Sequence, residues 1–158
     1  MTLDVGDVAP AFALPGTLPG GSGGEIALSD YAGSAVVLYF YPKDMTPGCT
    51  IEAIDFSALA EDFEKAGAVV IGVSKDSPAR HNKFCEKHGL KIRLVSDTGG
   101  TLCDAYGAWK QKSMYGRSFM GIERTTFLIN GGGDIQQIWR KVKVKNHAAE
   151  VLAAAQGL

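Results

Sequence analysis

SAVVLYFYPKDMTPGCTIEAIDFSALAEDFEKAGAVVIGV, residues Ser34–Val73, carries a strand–helix–strand pattern around which the rest of the chain is arranged. Its opening, Ser34–Tyr41, is a short apolar run rich in β-branched and aromatic side chains, stopped by Pro42. That is the pattern of a central strand buried on both faces. Thr46 then supplies a helix N-cap and Pro47 the first helical position, where its missing N–H costs nothing. Ile51, Ile54, Ala58, Leu59 and Phe63 recur at helical spacing, while Glu52, Asp55, Glu61, Asp62 and Glu64 supply a polar face until Gly67 ends the pattern. A helix from Pro47 to Ala66 is expected, followed by a second buried strand, Ala68–Val73.

After this stretch, Ser77 and Pro78 start another helix, which runs to His88 and closes at Gly89. Ile92–Val95 reads as a third short strand and Thr101–Tyr106 as a brief helical turn. Lys110–Gly121 is polar and carries glycine, the composition of a loop. Thr125–Ile129 and Ile135–Trp139 flank Asn130–Asp134 (NGGGD), a turn able to reach positive φ, so they form a hairpin. His147–Ala155 closes the chain as an Ala-rich helix, and Gly16–Gly24 reads as a flexible loop near the N-terminus. Alternating strands and helices, then a hairpin and a last helix, imply an α/β fold with a mixed central sheet flanked by helices. At 158 residues the chain is expected to be a single domain, 1–158.

Hydrophobic residues make up 46% and charged residues 21%, the composition of an ordinary globular chain. A formal net charge of −1 gives no field to draw nucleic acid or an anionic membrane. The apolar run Ala35–Tyr41 falls far short of the ~20 residues a membrane helix needs. Met1–Leu14 has two aspartates, no basic residue and no apolar core of a leader, so a cytoplasmic location is expected by default. Gly20–Gly24 lacks the GK[ST] of a phosphate loop. In Arg140–Lys145 (RKVKVK), alternation puts Lys141, Lys143 and Lys145 on one face of an extended segment, a solvated face in a chain that is not basic overall. His81, Cys85 and His88 share a helix face, but the two histidines lie about 10 Å apart along the axis, too far to share one ion. No metal or other cofactor is implied.

Cys49, Cys85 and Cys103 are too few, and odd in number, for a disulfide framework, and none forms a CxxC pair. Cys49 falls in the first turn of a helix that follows a buried strand. Unpaired N–H groups and the positive end of the helix dipole stabilise a thiolate there, which makes Cys49 a candidate nucleophile. The same position also suits a small buried side chain, and position by itself leaves both readings open.

Pro42, Thr46 and Cys49 together spell PxxxTxxC, which resembles the active-site signature of the peroxiredoxins. Gly6–Leu14 (GDVAPAFAL), Asp44–Ala53 (DMTPGCTIEA), Val70–Ser77 (VIGVSKDS) and Glu123–Ile129 (ERTTFLI) resemble further family segments in family order. The branch most similar is the Q-type, or bacterioferritin-comigratory, branch, whose fold is a thioredoxin fold with an N-terminal extension. The resemblance implies that Cys49 is the peroxidatic thiol, attacking a hydroperoxide and becoming a sulfenic acid. It also implies that the Thr46 hydroxyl bonds the peroxide, that Pro42 shields the thiolate, and that Arg124 stabilises the thiolate and orients the substrate. Arg124 opens an apolar strand, where a long charged side chain is unexpected unless paired.

Many Q-type members carry a resolving cysteine five residues after the peroxidatic one, a position occupied here by Ile54. Others place it in the helix after the next strand, which implies Cys85 as the resolver. Cys103 reads as a buried filler. Local unfolding around Cys49 is expected to accompany a Cys49–Cys85 disulfide, with thioredoxin, or glutaredoxin, as reductant and the enzyme a monomer. Two rivals share the fold: a thioredoxin-type disulfide oxidoreductase, which would need the missing CxxC, and a non-catalytic binding module, in which Cys49 would react with peroxide no faster than a free thiol.

Overall fold

The computed structural model describes residues 2–158; Met1, the first residue of the N-terminal segment considered above, lies outside them. The elements are β1 (Ala13–Thr17), β2 (Gly23–Ala27), a 3₁₀ turn (Leu28–Tyr31), β3 (Ala35–Phe40), α1 (Pro47–Ala58), α2 (Ala60–Lys65), β4 (Ala68–Ser74) and α3 (Pro78–His88). They continue with β5 (Arg93–Ser96), α4 (Thr101–Ala105), β6 (Trp109–Met114), β7 (Arg117–Ile122), β8 (Thr125–Ile129), β9 (Ile135–Trp139) and α5 (His147–Gln156). Seven strands form one mixed sheet in the order β2-β1-β5-β4-β3-β8-β9. β3, β4 and β5 run parallel at its centre, with β8 antiparallel beside β3 and β1 antiparallel beside β5.

Every residue of β3 is buried, as its unbroken apolar run requires. Strand alternation sends Val37 and Tyr39 into one core with Phe56, Phe63, Phe84 and Val151, from α1, α2, α3 and α5. Val36, Leu38 and Phe40 point into a second core with Leu102, Tyr106 and Phe127, closed by α4 and the N-terminal segment. That segment is tied to the β9 edge by Gly6 N–H to Ile135 O at 2.8 Å and Ile135 N–H to Asp7 O at 2.9 Å. No helix of the described residues is long and apolar enough to cross a membrane.

Four local expectations change. The helix expected over 47–66 is two, parted at Leu59, which is the C-cap of α1 and the N-cap of α2. The expected loop at 110–121 is a hairpin, β6 paired with β7. Its two-residue turn, Tyr115 (φ 53°) and Gly116 (φ 75°), has both residues at positive φ, the hairpin geometry that matches strand twist, built here without the usual Asn-Gly. Part of the expected loop at 16–24 is strand, because β1 lies between β2 and β5. A Cβ on Gly16 would stand 2.5 Å from Ile26 Cδ1 and 2.7 Å from Leu94 O, so glycine here serves close strand approach rather than looseness. Lys141, Lys143 and Lys145 are exposed between half-buried valines as expected, but outside any strand, with Lys141 at φ 50°.

Candidate active site

β3 ends beneath the site and delivers Tyr41 and Pro42 to a short loop over 42–46, from which α1 begins. Thr46 is the N-cap of α1, with Pro47 at the first helical position. The first amide to close a helical bond is that of Thr50, on Thr46 O at 2.9 Å, so the N–H groups of Gly48 and Cys49 lack helical partners. The Thr46 hydroxyl does not cap the helix; it donates to Lys43 O at 2.8 Å, leaving its oxygen lone pairs to accept. Pro42 is half-buried at the loop entrance.

Cys49 is 2% exposed on the inner face of α1. Arg124, directly before β8, reaches it from the neighbouring strand: Nη2 donates to Cys49 Sγ at 3.4 Å and Nη1 to Glu52 Oε1 at 2.6 Å. The unexpected arginine at a strand start is therefore paired on two sides. Burial works against its charge, but Glu52 and Cys49 outweigh that and raise its pKa above the ordinary value. The Cys49 sulfur thus faces a fixed cation and sits in a helical first turn.

Glu52 overturns the expected polar face of α1. It is buried, as are Cys49, Ala53 and Phe56, whereas Ile51 is 54% and Ile54 42% exposed. The helix is turned so that its thiol and carboxyl meet Arg124, and two isoleucines go to solvent instead. Among the described residues Glu52 Oε2 has no hydrogen-bond partner. Burial raises the pKa of this half-satisfied carboxyl to about 7, against the opposing pull of Arg124. The signal was available, since Cys49, Glu52 and Phe56 are spaced i, i+3 and i+7 and so share one helix face.

Cys85 is fully buried on α3, its thiol set towards Leu90 O at 3.4 Å and Leu18 O at 3.9 Å, away from Arg124 and Thr46. Burial pushes its pKa up. Cys103, in α4, is also buried, and burial followed by Asp97 pushes its pKa up as well, in keeping with a packing role. All three cysteines are free thiols. The structure brings together Cys49, Arg124 and the Thr46 loop, and it does not bring Cys85 to them.

A second cluster lies beneath the 42–46 loop and was not anticipated. Asp44 Oδ1 accepts from Tyr41 Oη at 2.5 Å, and Asp44 Oδ2 lies 2.6 Å from His81 Nδ1 on α3. His81 Nε2 lies 3.0 Å from Val95 O. Asp44 N–H donates to Asp76 Oδ2 at 2.8 Å, and Arg80 bonds both Asp76 Oδ1 (3.0 Å) and Asp44 O (3.3 Å). Asp44, Asp76 and His81 have ligand-type atoms within 4.8 Å of one another, but hydrogen bonds within the cluster account for every one of those atoms. Next along the chain, Met45 has φ 67°, a left-handed conformation that costs an L-residue about 1–2 kcal/mol.

Residues 5–138 match the AhpC/TSA family. Peroxiredoxin Bcp of Bacillus subtilis is 51% identical over 152 residues, 96% of this chain and 94% of that protein. The Xylella fastidiosa PrxQ mutant structure superposes with a TM-score of 0.91 at 42% identity, covering 99% of this chain and 98% of that one. A structure of the Xanthomonas campestris bacterioferritin comigratory protein, concerned with that protein's alkyl peroxide reduction, gives a TM-score of 0.83 at 49% identity, covering 91% of this chain and 90% of that one. The expected thioredoxin-type architecture, a mixed sheet with helices on both faces, is shared with these proteins. The chain belongs to the AhpC/TSA family and is a thiol peroxidase, a peroxiredoxin of the Q-type (Bcp) branch.

Proposed function

We propose that Cys49 is the peroxidatic thiol of this enzyme and that it reduces hydrogen peroxide and organic hydroperoxides. The observation that carries this is the 3.4 Å contact between Arg124 Nη2 and Cys49 Sγ at the open N-terminus of α1. The Cys49 thiolate attacks the terminal oxygen of ROOH; an S–O bond forms, the O–O bond breaks, and RO⁻ leaves to take up a proton as ROH. Arg124 and the free amides of the first turn face the charge that develops on the leaving oxygen. Thr46 Oγ, whose hydrogen is committed to Lys43 O, accepts from the peroxide O–H and so orients it. Pro42 covers the site from the loop. The alkyl peroxide reduction described for the Xanthomonas protein supports the substrate class.

Cys85 then attacks the Cys49 sulfenic sulfur, forming the disulfide and expelling water, and thioredoxin, or glutaredoxin, returns both thiols. Because each thiol is buried with its own contacts, this step needs local opening of α1 and α3. The whole chain, 1–158, works as one domain. Tryptic mapping after peroxide treatment tests the assignment: wild type should yield a single crosslinked Cys49–Cys85 pair and Cys49→Ser no turnover at all. Cys85→Ser should consume one equivalent of peroxide and stop, whereas Cys103→Ser should turn over as wild type does. Turnover by Cys49→Ser, or a disulfide lost in Cys103→Ser but kept in Cys85→Ser, overturns it.

A further inference from the structure

The Asp44–His81 cluster connects the two segments that carry the reactive thiols, and none of its side chains takes part in the chemistry proposed above. Asp44 belongs to the 42–46 loop, two residues before Thr46; His81 lies on α3, one turn before Cys85. Both side chains are fully buried. Val95 O can only accept, so His81 Nε2 donates to it and Nδ1 is left facing Asp44 Oδ2 at 2.6 Å. Asp44 is held at its amide by Asp76, at its carbonyl by Arg80 and at its carboxyl by Tyr41 and His81. A residue pinned at every polar atom can over-determine its neighbour. That neighbour is Met45, whose left-handed backbone turns the chain so that Thr46 starts α1 over the site.

We propose that Asp44 and His81 are a positioning pair: they latch the 42–46 loop to the first turns of α3, fixing Thr46 and Cys49 for attack on peroxide while holding α3 closed. The latch favours the first step and opposes the second. With it intact, Met45 keeps its conformation and Thr46 keeps its place, so peroxide meets a preorganised loop. For Cys85 to reach Cys49, α3 has to move away from the loop, and the buried pair is among the contacts that must part. The second half of this proposal rests on the reading of Cys85 as resolver; the first half does not.

Single-turnover stopped flow on the full-length reduced protein separates the steps, because Cys49 oxidation scales with peroxide concentration and disulfide formation does not. Asp44→Ala should slow the peroxide-dependent phase by about tenfold to a hundredfold and speed the peroxide-independent phase by about threefold or more. Asp44→Asn is the rescue. Its amide oxygen accepts from Tyr41 and its NH₂ donates to Nδ1, so the peroxide-dependent phase should return to within about threefold of wild type. Should Asp44→Ala fail to fold, His81→Gln breaks the same latch from α3 and should show the same opposed changes. An unchanged first phase, two phases slowed together, or equal losses in the Ala and Asn variants would overturn the latch. A wild type that forms no Cys49–Cys85 disulfide would instead overturn the resolver reading, and the first phase would still decide the loop half.

Discussion

Glu52→Gln is expected to uncover a stability change with pH that the wild-type protein conceals. Burial raises the Glu52 carboxyl from 4.5 to about 7, so the folded protein holds that proton where the unfolded chain has released it. Its contribution to stability is therefore fully present below about pH 4.5 and lost as pH rises through about 7. His147, 3% exposed at the start of α5, goes the other way: burial first, and the Arg124 charge second, lower it from 6.5 to about 4. Its contribution is present above about pH 6.5 and lost as pH falls through about 4. Each displacement corresponds to about 3 kcal/mol. The two windows nearly coincide and the signs oppose, so these two contributions should largely cancel in the wild type. In Glu52→Gln the histidine acts by itself, and stability should climb by about 3 kcal/mol from pH 4 to 6.5. In His147→Gln the glutamate acts by itself, and stability should fall by a similar amount from pH 4.5 to 7. Urea unfolding of the reduced protein reads this directly, as a midpoint change of about 1 M or more in each variant. A Glu52→Gln curve parallel to that of wild type would mean instead that the buried carboxyl does not titrate in this window.

Thr46→Val keeps the side-chain shape and costs no helix cap, because the hydroxyl bonds Lys43 O rather than α1; with the acceptor that orients the peroxide gone, peroxide-dependent oxidation should slow by about 10²-fold with the melting temperature little changed. An unchanged rate would remove Thr46 from the site. Arg124→Lys replaces a fork that reaches Glu52 and Cys49 together with a single ammonium, and stopped flow should show a loss of about 10²-fold, whereas retention of the rate would mean that charge without geometry suffices. Gly72→Ala places a Cβ 2.8 Å from Tyr39 Cζ and 3.0 Å from Leu94 Cδ2 in the sheet centre; it should cost about 1–3 kcal/mol in urea unfolding, and a neutral result would show that Tyr39 has room to move.

Much of the frame was legible because its signals are local. The unbroken apolar run of β3, the Thr46–Pro47 and Ser77–Pro78 helix starts and the glycines of the β8–β9 turn each state their structure within a few residues. Misreadings arose where a local signal has two meanings. Glycine at 16 looked like a loop and proved to be a place where strands press together. Tyr115–Gly116 has the glycine of a two-residue turn but a tyrosine where Asn or Asp is usual, so the hairpin does not announce itself locally. On α1, counting hydrophobic residues chose Ile51 and Ile54 as the inner face, because a buried carboxylate is a poor expectation until its cation is known.

Sequence signals alone are enough for the central strands β3, β4, β5, β8 and β9 and the helices between them, for a thiol at a helix N-terminus, and for the motif that assigns the family, since each depends on neighbours along the chain. The tertiary structure decided which groups act on that thiol. Arg124 meets Cys49 only because β8 pairs beside β3 and brings residue 124 across the sheet to α1. Glu52 is tolerated inside only because that arginine arrives. Asp44 and His81 meet only because β3 and β4 lie parallel, which sets the loop after one strand against the helix after the other. Hydrogen bonds and charges act over a few ångströms of space, whatever the distance along the chain, so these partners appear only when the sheet has formed.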